Sequence, residues 1–107
     1  MPGTAAHADV FRALADPTRR AVYERLTQGE APVGALSEAF GVSQPAVSQH
    51  LAVLRDAGLV VPRRDGRHRY YRARPEGLAP LVDWLEHHRA FWNDRLARLG
   101  ATLEDLP

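Results

Sequence analysis

The chain is 107 residues long, 45% hydrophobic and 25% charged, which fits one globular domain over residues 1–107 and excludes disorder. It has no cysteine, which excludes a disulfide framework and a thiolate metal site. With no basic leader and no stretch near about 18 apolar residues, a soluble cytoplasmic protein without membrane contact is expected. The net charge is only +1, and all 14 basic residues are arginine. Seven of them (Arg55, Arg63, Arg64, Arg67, Arg69, Arg72 and Arg74) lie between positions 55 and 74, opposed there by Asp56 and Asp65 alone. Such a cluster is an electrostatic footprint for a polyanion.

"HADVFRALA" (7–15) predicts a short amphipathic helix with Val10, Phe11 and Leu14 apolar. "DPTRRAVYERL" (16–26) opens with Asp16 as N-cap and Pro17 at the first helical position. It carries the stripe Ala21, Val22 and Leu26, and stops at Gly29. "PVGALSEAF" (32–40) predicts a third helix, with Leu36 and Phe40 one turn apart, closed by Gly41. Ser43 then caps a fourth helix, with Pro45 in its first turn, running to about Ala57 before Gly58. Its apolar stripe is Val47, Leu51 and Leu54.

From residue 59 the period changes. Two extended runs flank Asp65-Gly66, a pair favoured in tight hairpin turns. Pro62 confines its strand to an edge, so the hairpin is expected to be small and exposed. Leu78, Leu81, Val82, Leu85, Trp92, Leu96 and Leu99 then recur at helical spacing, with Pro80 near the start of the run and Gly100 at its end. They predict one continuous last helix over 78–99, roughly 30 Å long. A domain this small hides only about two-thirds of its surface, and this stripe exceeds what five helices can cover. An isologous two-fold interface would bury it. The alternative is that the tryptophans fill the monomer core.

The order of three helices, tight turn, capped helix and basic hairpin is that of a winged helix-turn-helix, mainly α with a small β-hairpin wing over 60–73. That architecture accounts for the polar start of the fourth helix, where Gln44, Ser48, Gln49 and His50 crowd the first turns. Base edges are neutral arrays of donors and acceptors, and Gln, Ser and His both give and accept hydrogen bonds. Helical spacing puts Gln44, Ser48 and Arg55 near one meridian, with Gln49 beside it, away from Val47, Leu51 and Leu54. The helix start also directs free N–H groups at phosphate.

"LADPTRRAVYERL", "FGVSQPAVSQHLAVLRDAGLV" and "RRDGRHRYY" together resemble the ArsR–SmtB family of bacterial winged-helix repressors, over roughly residues 8 to 99. The resemblance implies a homodimer built through the first and last helices, with Phe11, Leu78, Leu81, Leu85, Trp92, Leu96 and Leu99 at the interface. It implies that Gln44, Ser48, Gln49 and His50 read bases in a pseudo-palindromic double-stranded DNA operator. Ser43, Arg55, Arg63, Arg64, Arg67 and Arg69 would serve the backbone or minor groove, and Arg19 and Arg20 would hold phosphate or form a solvated helix face.

Metal sites of that family do not carry over. Its third-helix cysteine pair falls near Pro32 and Gly34, and aligning Asp83 with its last-helix site puts Leu85, Leu96 and Leu99 where histidines belong. What remains is Asp83 one turn before His87, with His88 and His7 as further candidates for nickel or zinc. Adjacent histidines on one helix point about 100° apart, so a wet helix face is the plainer reading of His87 and His88. No paired carboxylates, phosphate loop or nucleophile–base spacing is present, so no enzyme is expected. Two alternatives to a repressor stand: a divergent nickel or zinc sensor, and a winged-helix protein-interaction module without DNA binding. No residue identifies an effector.

Overall fold

The computed structural model describes residues 2–100, with side chains from residue 7 onward. Helix α1 (Pro2–Ala15) begins five residues before the expected start. Proline suits a first turn because the N–H it lacks would be unpaired there. Val10 and Ala13 are buried, whereas Phe11 faces outward.

Asp16 turns the chain into α2 (Pro17–Leu26), accepting the Arg19 N–H at 2.9 Å. Two arginines of α2 then close the end of α1. Arg19 donates to Ala13 O at 2.6 Å and Arg12 O at 3.0 Å, and Arg20 donates to Leu14 O at 3.0 Å. These are carbonyls that a helix end leaves without intrahelical donors.

Strand β1 (Ala31–Pro32) leads straight into α3 (Val33–Phe40). Pro32 therefore caps the third helix instead of starting it. Gly41, at φ 64°, supplies the left-handed residue that ends α3. Across the following turn the Ser37 hydroxyl donates to Val42 O, and the Val42 N–H returns to Ser37 O at 3.3 Å. Ser43 then caps α4 (Gln44–Asp56), its Oγ accepting the Ala46 N–H at 3.2 Å.

Strands β2 (Val60–Asp65) and β3 (His68–Ala73) form the hairpin. The hairpin does not stand alone: β1 pairs with β3, giving an antiparallel sheet in the order β1-β3-β2. Pro62 lies on the edge strand, opposite Tyr71. Alternation splits the sheet into two faces. Ala31, Val60, Tyr71 and Ala73 are buried against the helices, so the inner face of the hairpin is core and only its outer face and tip are exposed. The core joins these residues to Val10, Val22, Tyr23, Leu26, Leu36, Val47, Leu51, Leu54 and Leu59.

A 3-10 turn (Pro75–Leu78) precedes α5 (Ala79–His87) and α6 (Arg89–Arg98). The expected continuous last helix is thus two, and among the described residues the helices number six instead of five. The break is at His88 (φ −103°, ψ 8°). Its Nδ1 lies 2.8 Å from Trp84 O, the carbonyl that its own N–H reaches at 3.2 Å. A side chain competing for a ladder carbonyl is a recognised cause of helix kinks. Among the described residues, no helix is long and apolar enough to cross a membrane.

Candidate nucleic-acid interface

The fourth helix has two unlike faces. Val47, Leu51 and Leu54 are 0% exposed, which fixes the rotation of α4 about its axis. Gln44, Ser48 and Gln49 are thereby held in solvent. His50 is half-buried, between the exposed and the packed faces of the helix. Arg55 is exposed beside Asp56 at 3.6 Å. At 1.5 Å per residue it lies roughly 16 Å along the axis from Gln44.

Gln44 and Ser48 form one wall of an open groove of about 580 Å³. Pro32 of β1, Val33 and Gly34 at the start of α3, and Arg67, His68 and Arg69 of the hairpin line the rest of it. This lining carries two arginines, a histidine and no carboxylate, so it focuses a positive field. Sequence reading missed His68, although its position between Arg67 and Arg69 in the basic run was the available signal. Arg64 and Arg67 are exposed, and Arg69 makes only a 3.5 Å contact with the Tyr71 hydroxyl.

Three other candidate arginines are committed elsewhere. Arg19 and Arg20 hold the end of α1, as described above. Arg63 forks onto Glu30, with Nε–Oε2 at 3.0 Å and Nη2–Oε1 at 2.7 Å. That bond holds the Glu30 carboxyl below its ordinary pKa and pushes the Arg63 guanidinium up. Asp16 is likewise held below the usual carboxylate value, first by the Arg19 backbone N–H and then by the nearby charges of His50 and Arg19.

Away from the groove lining, Phe11, Val82, Leu85, Phe91, Trp92 and Leu99 are 40% to 81% exposed. Leu78 and Leu81 instead pack on the core, and Leu96 is half-buried. Trp84 was not foreseen as part of this face, yet it organises it. Its ring meets Phe11 edge-on at 5.3 Å and His88 at 4.4 Å, with His7 at 6.2 Å. His7 and His88 therefore lie against the tryptophan, and Asp83 is exposed. Among the described residues no three His, Asp or Glu side chains come together as a metal-binding group.

Comparison with known proteins agrees with this architecture. A helix-turn-helix domain family matches residues 14–63. The chain is 49% identical over 86 residues to the HTH-type transcriptional regulator Rv2034 of Mycobacterium tuberculosis, covering 80% of this chain and 78% of that protein. It is 34% identical over 77 residues to the transcriptional repressor SdpR of Bacillus subtilis, covering 72% and 86%. A solved ArsR-like transcriptional regulator from Rhodococcus superposes with a TM-score of 0.77 at 33% identity, covering 92% of this chain and 93% of that one. The helix-turn-helix with its basic wing and these likenesses lead to one conclusion: the chain belongs to the ArsR–SmtB family of winged helix-turn-helix transcriptional regulators, which are not enzymes.

Proposed function

We propose that this protein is a cytoplasmic, DNA-binding transcriptional repressor that acts as a homodimer on a pseudo-palindromic operator. The observation that carries the reading is the framing of Gln44 and Ser48. They stand exposed on a helix whose opposite stripe is wholly packed, and they share a carboxylate-free groove with Arg67 and Arg69. With α4 in the major groove, Gln44, Ser48 and Gln49 meet base edges, and the wing arginines lie along phosphate or in the adjoining minor groove.

The exposed apolar faces of α1, α5 and α6 support a dimer, since a second copy related by a two-fold axis would bury Phe11, Leu85 and Trp92. Two copies would then present their α4 helices to half-sites about one helical turn, or roughly 34 Å, apart. The relative SdpR is itself a transcriptional repressor.

Fluorescence anisotropy with a labelled duplex from the protein's own promoter tests the reading. Binding should resist a scrambled competitor and weaken steeply with salt. Equal displacement by the scrambled duplex at every salt concentration would overturn it.

A further inference from the structure

Glu30 is a carboxylate next to the proposed DNA-binding surface, an unfavourable place for a negative charge. Its geometry gives it a different use. Glu30 immediately precedes β1, and Arg63 is on β2, 33 residues later. The two strands are the opposite edges of the sheet, with β3 between them. Register and alternation place Glu30 and Arg63 on the same outer face, where Arg63 lies directly opposite Tyr70 of β3. The guanidinium crosses above the Tyr70 ring, 4.8 Å from its centroid, and closes on Glu30 with two hydrogen bonds. A bidentate fork of this kind fixes orientation as well as distance.

The consequence lies in what the clamp joins. Strand β1 is two residues long and runs straight into α3, the first helix of the helix-turn-helix. Strand β2 runs outward to the tip that carries Arg64 and Arg67. Only two residue pairs link β1 to the hairpin. A pairing that short is a weak hinge against rocking of the hairpin relative to α3 and α4.

We propose that Glu30 and Arg63 form a positioning clamp that sets the angle of the wing relative to α4, and that Arg63 does not itself contact DNA. The assignment rests on the DNA-binding reading given above. Phosphate contact by the wing is left to Arg64, Arg67 and Arg69, whose side chains are not engaged by any carboxylate among the described residues. Glu30 is held in place by Arg63, with the charge of Arg72 nearby as well. Freed of the clamp, the wing would spend only part of its time in the orientation that binds, and apparent affinity would fall by that fraction.

Sign separates this role from simple electrostatics. Removing a negative charge beside the DNA site should tighten binding, whereas removing a clamp should weaken it. The test measures affinity and salt slope for the full-length protein on its promoter duplex. Glu30→Gln should bind about fivefold more weakly, as if the competent wing orientation were populated about one-fifth of the time. Arg63→Gln and Arg63→Lys should weaken binding to a similar extent, the lysine because a single ammonium cannot form the fork. Neither should change the salt slope, whereas loss of a phosphate contact lowers it by about 0.9. The exchanged pair Glu30→Arg with Arg63→Glu should return affinity to within about twofold, which a variant that merely fails to fold cannot do. Equal or tighter binding by Glu30→Gln, full affinity in Arg63→Lys, or a flattened slope in Arg63→Gln would overturn the clamp. A wild-type protein that binds no promoter duplex would overturn the repressor reading itself, and the clamp's role with it.

Discussion

Replacing Gly77 by alanine drives a methyl group into the corner where α4 ends and β2 begins. A Cβ at this position falls 2.1 Å from Gly58 O, 2.8 Å from Gly58 C and 3.1 Å from Leu59 Cα. Non-bonded heavy atoms settle nearer about 3.5 Å, so the 3-10 turn must retreat by more than about 1 Å. The corner itself cannot give way cheaply. Gly58 closes α4 at φ 78°, its N–H reaching Arg55 O at 2.9 Å while Leu59 N–H reaches Leu54 O at 2.9 Å. Retreat of the turn stretches the Arg74 N–H bond to Leu59 O (2.7 Å) and the Arg74 guanidinium bond to Gly58 O (3.2 Å). Taking overpacking at the lower end of its range of roughly 1–3 kcal/mol and each of the two weakened hydrogen bonds at about 1 kcal/mol gives about 3 kcal/mol. In a domain of this size that lowers Tm by roughly 12–24 °C, measured by circular dichroism during heating. Gly34→Ala is the control: its Cβ meets only Gln44 Nε2, at 3.7 Å, and alanine in a helix is favoured over glycine by about 1 kcal/mol. If Gly77→Ala melts within a few degrees of the wild type, the close approach does not constrain the corner and the reasoning fails.

Removing both groove arginines, Arg67→Ala with Arg69→Ala, should lower the salt slope by about 1.8. Between 50 and 200 mM salt, the wild type should then lose about 12-fold more affinity than the variant; parallel slopes in a salt titration would show that neither residue meets phosphate. Asp16→Asn should destabilise the protein at neutral pH, and the deficit should shrink in acid. Folding lowers the Asp16 pKa, so its contribution is complete above the ordinary carboxylate value and is lost as pH falls through the lower folded value. Urea midpoints of both proteins at neutral and acidic pH measure the gap, and a gap that stays constant contradicts the assignment.

Local signals made most of the DNA-facing half legible in the sequence. Asp16-Pro17, Gly41, Ser43 with Pro45, Gly58 and Asp65-Gly66 each act within one turn of themselves, and each marks a boundary where the structure has one. The stripe Val47, Leu51 and Leu54 set the rotation of α4 for the same reason. What stayed hidden depends on partners distant in sequence. Strand β1 is two residues long and exists only because β3 pairs with it. Arg63 looked free because Glu30 is 33 residues away, and Arg19 and Arg20 looked free because the carbonyls they bind carry no side-chain signature. The last helix read as continuous because Trp84 and His88 both suit helical spacing; the break at His88 goes with its ring nitrogen sharing the Trp84 carbonyl, which spacing alone does not reveal.

Discrimination between single-base variants of the operator by wild type, Ser48→Ala and Gln49→Ala tests most directly whether the exposed face of α4 reads sequence. Each substitution should erase about 1–3 kcal/mol of preference at one base pair per half-site and leave the remaining positions as selective as before. Uniform weakening across the whole panel, with every base preference intact, would mean that these side chains do not read DNA.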